Sequence, residues 1–172
     1  VTSVLVLATL AVLNLPVLLP GNFENAECVG NISVPKGYER ISGNDQMYAE
    51  FLRSIPLKPK GAEVRLYKSN ETARFGNYAK YAVIDLPLLS NAEQCADACM
   101  RLRAEYLFRH GKYAKIHFAN NAGLDFFYLG GRSRKAFDSY MRKVYGFANT
   151  ASVAKELPTW AGKAVSPGAC LV

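Results

Sequence analysis

The chain has 172 residues, half of them apolar, and its 21 basic and 14 acidic side chains give a net charge of +7. This length suits one domain with its own core, and the composition excludes an intrinsically disordered chain. The basic residues are scattered from Lys36 onward without a long run, which is typical of solvated surfaces. We therefore do not expect nucleic acid as a partner, and an anionic wall polymer is the alternative that the charge leaves open.

The first 19 residues contain no charged side chain and are mostly Val, Leu and Ala. A run of this length lies between the apolar core of an export signal and a minimal membrane span. We favour an export signal over 1–20, followed by a linker over 21–35; a retained anchor and a reading-frame artefact are the alternatives. Export predicts that the protein lies in the periplasm or cell envelope and meets the membrane only through residues 1–19.

Export would also place the four cysteines in an oxidising space, where disulfides persist. A bridge between Cys28 and Cys170 would join the two ends, but nothing in the spacing requires it. Cys95 and Cys99 are one helical turn apart, which aims their side chains poorly for a bridge. Because no Cys-x-x-Cys pair accompanies the two histidines, we expect no bound metal, and no cofactor motif is present.

Residues 81–119 have the pattern of a strand, a long helix and a second strand. The run 81–86 is apolar and rich in β-formers, and Ser90 and Glu93 have the spacing of a capping box. The helix is expected over about 91–109, with apolar residues at helical spacing that include Cys95 and Cys99. Both thiols are therefore predicted to lie in the core, as small apolar residues do.

Weaker patterns predict the remaining elements. A helix over 45–52 has Met47 on its apolar side, and a strand over 62–68 would form a hairpin with 81–86. A helix over 135–147 has Phe137, Tyr140, Met141 and Val144 on one side, and a further short helix is expected over 150–157. Together the patterns predict an α+β fold, in which a small, mostly antiparallel sheet packs against the helix at about 91–109 and a second helical layer at about 135–157. We expect a single domain over 36–172. Its apolar and abrupt C-terminal end indicates that the domain is truncated there.

Two sets of side chains are candidates for chemistry. Cys95 near a helix start and His117 as its base would make a nucleophile pair. However, Cys95 lies five positions beyond the Ser90 cap, and His117 is centred in an apolar strand, so we expect both to be packed residues. Thr150 and Ser152 would need a base that their segment does not supply, and we expect both to cap the helix that they open.

Several motifs resemble a known family when they are taken together. The most distinctive is Gln94-Cys95-Ala96-Asp97-Ala98, which continues over 100–107; the others lie at 49–59, 64–67, 116–118 and 145–157. Over about 36–168 the chain resembles an uncharacterised bacterial family, domain of unknown function 4846. Because members of that family are typically exported envelope proteins without an assigned activity, the resemblance implies a non-catalytic protein that binds a cell-wall or surface component.

The motif order is also similar to that of NlpC-type papain-like wall peptidases, in which a nucleophile helix precedes a strand with the catalytic His. In that comparison the nucleophile falls near 150–152, where no Cys is present, and Ala169 stands where the acid would be. The alternative hypothesis is therefore a papain-like cysteine hydrolase of cell-wall peptide or amide bonds. Its nucleophile would be Cys95, and its catalytic His would lie beyond Val172.

Overall fold

A computed structural model describes residues 26–40, 46–63 and 83–157. This part of the chain contains four α-helices and one sheet of two antiparallel strands, in the order α1 (Gln46–Arg53), α2 (Cys95–Arg109), β1 (His117–Ala119), β2 (Asp125–Phe127), α3 (Arg134–Phe147) and α4 (Thr150–Glu156). The predicted α+β class with a small antiparallel sheet is confirmed. Among these helices, none is long and apolar enough to cross a membrane.

The chain forms two compact units, and the first contains residues 26–40, 53–63 and 83–85 of the described part. Its backbone is held by two isolated antiparallel bridges, one between Cys28 and Pro56 and one between Leu57 and Ile84. The first of these bridges therefore joins the predicted linker over 21–35 to the segment that follows α1. The signal at 1–20 and most of the predicted hairpin of 62–68 with 81–86 lie outside the described residues, and the single domain over 36–172 stays a prediction.

Cys28 carries a free thiol, whose Sγ donates a hydrogen bond to Asn31 Oδ1 at 3.1 Å. Cys170 lies outside the described residues, so the bridge between Cys28 and Cys170 stays a prediction.

The second unit contains residues 47–52 and 86–157 of the described part, and α2 is its longest helix. This helix begins at Cys95 and not after Ser90, because the capping box is formed four residues later than predicted. The Gln94 N–H donates to Asp97 Oδ2 at 2.8 Å, and Asp97 is the third residue of the helix. Ser90 Oγ accepts instead from the Ala92 N–H at 3.1 Å, so it stabilises a turn that precedes the helix.

The buried face of α2 differs from the predicted one. Burial follows positions 97, 100, 101, 104 and 105, which is the spacing of one helical face. Three of these residues are acidic or basic, and two of the three, Arg101 and Glu105, pair with each other at 2.7 Å. Cys95 and Cys99 lie off this face and are exposed. The prediction of core thiols is wrong because the paired charges occupy the interior positions that an apolar pattern assigns to other residues.

The remaining predicted helices are confirmed to within one or two residues at each end. In α1, Ala49 and Phe51 are buried, whereas Met47 is 56% exposed, contrary to its predicted place on the apolar side. In α3, Phe137, Met141 and Val144 are all fully buried at helical spacing.

The short sheet is attached to the helices that follow it. Tyr140 on α3 donates a hydrogen bond to the Phe126 carbonyl of β2 at 2.6 Å, and the rings of Phe126 and Phe147 stack at 5.4 Å. Helix α4 packs on β1. Both ends of α4 therefore lie beside other elements of the second unit.

Candidate functional site

A cleft of about 360 Å³ lies between the start of α2 and the junction of α3 with α4. This volume lies near the lower end of the range of small-molecule sites, about 300–1,000 Å³. One wall is Gln94 to Asp97, and the other is Tyr145 to Thr150. The two walls come from segments about 50 residues apart in sequence, and both contain a helix start.

Cys95 lines this cleft as the first residue of α2 and is exposed there. Partial positive charge at a helix N-terminus is greatest in the first turn. The expectation that Cys95 lies too deep in the helix to feel this charge is therefore wrong. The sequence signal that marks the helix start at Cys95 is Gln94 with Asp97, which are three positions apart, as are the Ser and Glu of a capping box.

Asp97 lies beside Cys95 but is buried. Burial raises the pKa of its carboxyl group above the usual value, and the hydrogen bond from the Gln94 N–H opposes that rise. Tyr145 closes the opposite side of the cleft, and burial likewise raises the pKa of its hydroxyl, against the effect of the neighbouring Arg101 guanidinium. Each wall of the cleft therefore contains a polar group that is held in its neutral form more readily than in water.

Thr150 and Ser152 occupy different environments. Thr150 is the first residue of α4, is exposed and lines the cleft. Ser152 is buried, accepts from the Asn149 N–H at 2.9 Å and donates to the Asn149 carbonyl at the same distance. The capping role predicted for Ser152 is confirmed, whereas the N-cap of α4 is Asn149 and not Thr150.

His117 does not line the cleft. It lies on β1 with its side chain 45% exposed, and its Nδ1 is 3.9 Å from Asp125 Oδ1 and 3.8 Å from Glu156 Oε1. The prediction of a packed histidine is wrong, because the buried residues of this strand are Phe118 and Ala119 and not His117. The cleft thus brings Cys95 and Thr150 together without His117, and among the described residues no histidine lines it.

Arg134 was missed by sequence reasoning. It donates two hydrogen bonds to the Glu105 carboxylate, Nη1 to Oε2 at 2.8 Å and Nη2 to Oε1 at 2.6 Å. Since Arg134 is 29 positions beyond Glu105, no local pattern could have predicted this contact. The pair joins α2 to α3, the helices that carry the two walls of the cleft.

The family model described as Domain of unknown function (4846) matches residues 29–130, more than half of the chain. The chain belongs to this family. The matched segment contains Cys95, His117 and Asp125, whereas Thr150, Ser152 and Glu156 follow it. No curated protein and no solved structure matches the chain. The similarity in motif order to papain-like wall peptidases stays a prediction.

Proposed function

We propose that this member of the family is an exported envelope protein that binds a cell-wall or surface component in the cleft and does not catalyse a reaction on it. The observation that carries the proposal is the cleft between the start of α2 and the α3–α4 junction. Its lining is mostly polar and includes one exposed aromatic ring, and polar groups of this kind fix the orientation of a ligand.

The apolar part of the cleft is the ring of Phe147, which is exposed on one side and stacks on Phe126 on the other. A ring held in this way offers a flat surface at little cost in side-chain entropy. The polar part includes the backbone N–H groups of Cys95 and Ala96, which have no acceptor within their own helix. This combination suits a ligand with one apolar face and acceptor oxygens at its edge, such as a sugar or a short peptide of a wall polymer.

The side chains around the cleft favour binding over catalysis. The described lining residues include a thiol and a hydroxyl but no histidine that could act as a base. Ser152 is buried and uses its hydroxyl in the cap of α4. Asp97 is buried against the Gln94 N–H, so it holds the start of α2 in place.

Gly146 offers a test that leaves the fold intact. It lies in α3, lines the cleft, and a Cβ added to it would meet no heavy atom within 4 Å. The full chain should bind soluble disaccharide–peptide fragments of a cell wall in isothermal titration calorimetry. Gly146→Trp should reduce that affinity at least about tenfold by filling the cleft, and Gly146→Ala is the matched control that should retain it.

Two results would contradict the proposal. One is a full chain that binds none of these fragments, nor intact wall sacculi. The other is equal binding by the Trp and Ala variants, which would move the binding surface away from the cleft. The export part is tested separately by fusing alkaline phosphatase after Arg40, because that reporter folds only in an oxidising space. An inactive fusion would remove the envelope assignment.

A second candidate function is hydrolysis by Cys95, and the observation that favours it is the position of this thiol at the first residue of α2. The Cys95 thiolate would attack an amide carbonyl, the leaving amine would take a proton from a base, and water would then cleave the thioester. In a longer family member that supplies a histidine, release of free amino groups from wall peptide should disappear after replacement of the cysteine by Ser. Absence of any release from that longer protein would exclude this function.

A further inference from the structure

Three potential metal ligands meet at the end of α4 that lies farther from the cleft. They are His117 on β1, Asp125 on β2 and Glu156 at the last position of α4. His117 Nδ1 is 3.9 Å from Asp125 Oδ1 and 3.8 Å from Glu156 Oε1, and the three ligand atoms all lie within 4.8 Å of one another. All three residues are exposed, so an ion has access from solvent.

The fold brings these side chains together by regular structure. In the β1–β2 register, His117 lies opposite Phe127 and Asp125 lies opposite Ala119. His117 and Asp125 are therefore diagonal neighbours on the same face of the antiparallel pair. Glu156 joins them because α4 packs on β1.

Backbone and ring contacts restrict the positions of the three ligands. Lys155 Nζ donates to the Asn121 carbonyl at 3.0 Å and so ties the end of α4 to the turn between the strands. The His117 ring lies against the Phe127 ring, with their centroids 5.3 Å apart. These contacts limit how far the side chains must move to close around an ion.

The charges of the cluster also favour a cation. With a neutral imidazole the three side chains carry two negative charges and one nitrogen lone pair. Lys155, which precedes Glu156 in sequence, directs its ammonium group to the Asn121 carbonyl and not to these carboxylates. An imidazole nitrogen with carboxylate oxygens is a ligand set that Zn²⁺ accepts, and a three-ligand zinc site leaves a further position for water.

We propose that His117, Asp125 and Glu156 bind one divalent transition-metal ion, with Zn²⁺ as the preferred ion. With Zn–N and Zn–O distances of about 2.0–2.2 Å, the ligand atoms of a tetrahedral site are about 3.4 Å apart. The two distances from His117 Nδ1 would therefore shorten by about 0.5 Å, which rotation of exposed side chains supplies. This site goes beyond the binding function proposed for the cleft, because the two lie at opposite ends of α4. The sequence expectation of no metal missed it because the ligands come from three elements, the first and last 39 positions apart, without a local spacing.

The test is titration of the full chain with Zn²⁺ at pH 7.5 by isothermal titration calorimetry. We expect one equivalent to bind, and we expect His117→Ala, Asp125→Asn and Glu156→Gln each to weaken the affinity at least about tenfold. His110→Gln is the matched control, because His110 is the other of the two histidines in the chain, is exposed and lies outside the cluster. Cys95→Ser is the control for binding by thiols.

Mn²⁺ provides a second readout that does not depend on the fold of a variant. Its paramagnetism should broaden the ring signals of His117 in the NMR spectrum of the full chain well before those of His110. The proposal is overturned if the full chain binds no Zn²⁺, if His117→Ala binds it as tightly as the parent, or if Cys95→Ser alone abolishes binding. Equal broadening of both histidines by Mn²⁺ would likewise contradict a specific site.

Discussion

Arg134 at the start of α3 holds the Glu105 carboxylate of α2 with two parallel hydrogen bonds of 2.8 and 2.6 Å. Glu105 is 1% exposed, and its Oε1 also accepts from Arg101 Nε at 2.7 Å. The carboxylate thus faces two guanidinium groups in the interior of the second unit. A planar guanidinium suits this two-point contact better than an ammonium group does.

Removal of Arg134 should therefore be costly. We expect Arg134→Met to lower the free energy of unfolding by about 2 kcal/mol, less than the about 3–5 kcal/mol typical of a fully buried pair because Arg134 is 47% exposed. Asp138→Asn is the control: it removes the second partner of Arg134, at 2.8 Å, from a more accessible pair and should cost at most about 0.5 kcal/mol. Urea unfolding monitored by circular dichroism measures both, and equal losses would contradict this ranking.

The same carboxylate should make stability depend on pH. Burial alone would raise the pKa of Glu105, but the hydrogen bonds and charges of Arg134 and Arg101 outweigh it and hold the pKa below the ordinary value of 4.5. Its contribution is therefore complete above about pH 4.5 and is lost as the pH falls through the lower pKa of the folded protein. Between pH 6 and pH 3 the loss in the free energy of unfolding should be smaller in Glu105→Gln than in the parent. An identical loss in both would show that other groups cause the acid sensitivity.

Two glycines should respond oppositely to the same substitution. A Cβ on Gly130 would lie 2.5 Å from Ala136 Cβ and 2.6 Å from the Tyr128 hydroxyl, whereas one on Gly146 would meet nothing within 4 Å. We expect Gly130→Ala to destabilise the protein by about 1–3 kcal/mol through overpacking. Gly146→Ala should stabilise it by about 0.5–1 kcal/mol, because Gly costs about that much in a helix. Thermal melts of the two variants compare them directly, and a shift in the same direction would contradict the contacts around Gly130.

The start of α4 depends on one amide side chain. Asn149 Oδ1 accepts from the N–H groups of Ala151 at 2.9 Å and Ser152 at 3.3 Å. Asn149→Ala should lower the free energy of unfolding by about 1 kcal/mol, the usual cost of a lost N-cap. Thr150→Ala, one position on and exposed, is the control and should have little effect. A larger loss from the Thr150 change would mean that its hydroxyl, not the Asn149 amide, holds the helix start.

The two exposed thiols of α2 should differ in reactivity. Cys95 is the first residue of the helix, whereas Cys99 lies one turn further along, where the helix dipole acts less. Iodoacetamide at pH 7 should therefore label Cys95 in the Cys99→Ser variant faster than it labels Cys99 in the Cys95→Ser variant. Peptide mass spectrometry gives the fraction labelled at each site. Faster labelling of Cys99 would remove the electrostatic argument for Cys95 as a nucleophile.

Helix positions could be predicted from sequence because their signals are local. The pattern of Phe137, Met141 and Val144 indicated one buried face, and the structure buries all three. The start of α2 could not be placed correctly, since two consecutive segments have capping-box spacing and only the second of them caps the helix. Ser90 satisfies a turn of its own, and Gln94 with Asp97 forms the box.

The candidate sites were less predictable because their contacts join distant parts of the chain. The cleft places Cys95 beside residues about 50 positions away, and the second cluster takes Glu156 to a sheet formed by 117–127. The burial of Arg101 also contradicts its hydropathy, and it is explained by ion pairs with Glu105 and with Glu93, which precedes α2. Pairing of charges across elements carries no periodic signal.

The two hydrogen bonds between Arg134 and Glu105 also set the alignment of α2 and α3, the helices that they join. If α3 moved along α2 by one turn, about 5.4 Å, both guanidinium nitrogens of Arg134 would lose contact with the Glu105 carboxylate. That buried anion would then lack one of its two cationic partners. Apolar side chains tolerate such slippage far better than a two-point ionic contact does. The opening between Cys95 and Phe147, built on those same helices, therefore has its width fixed by a contact that lies outside its walls.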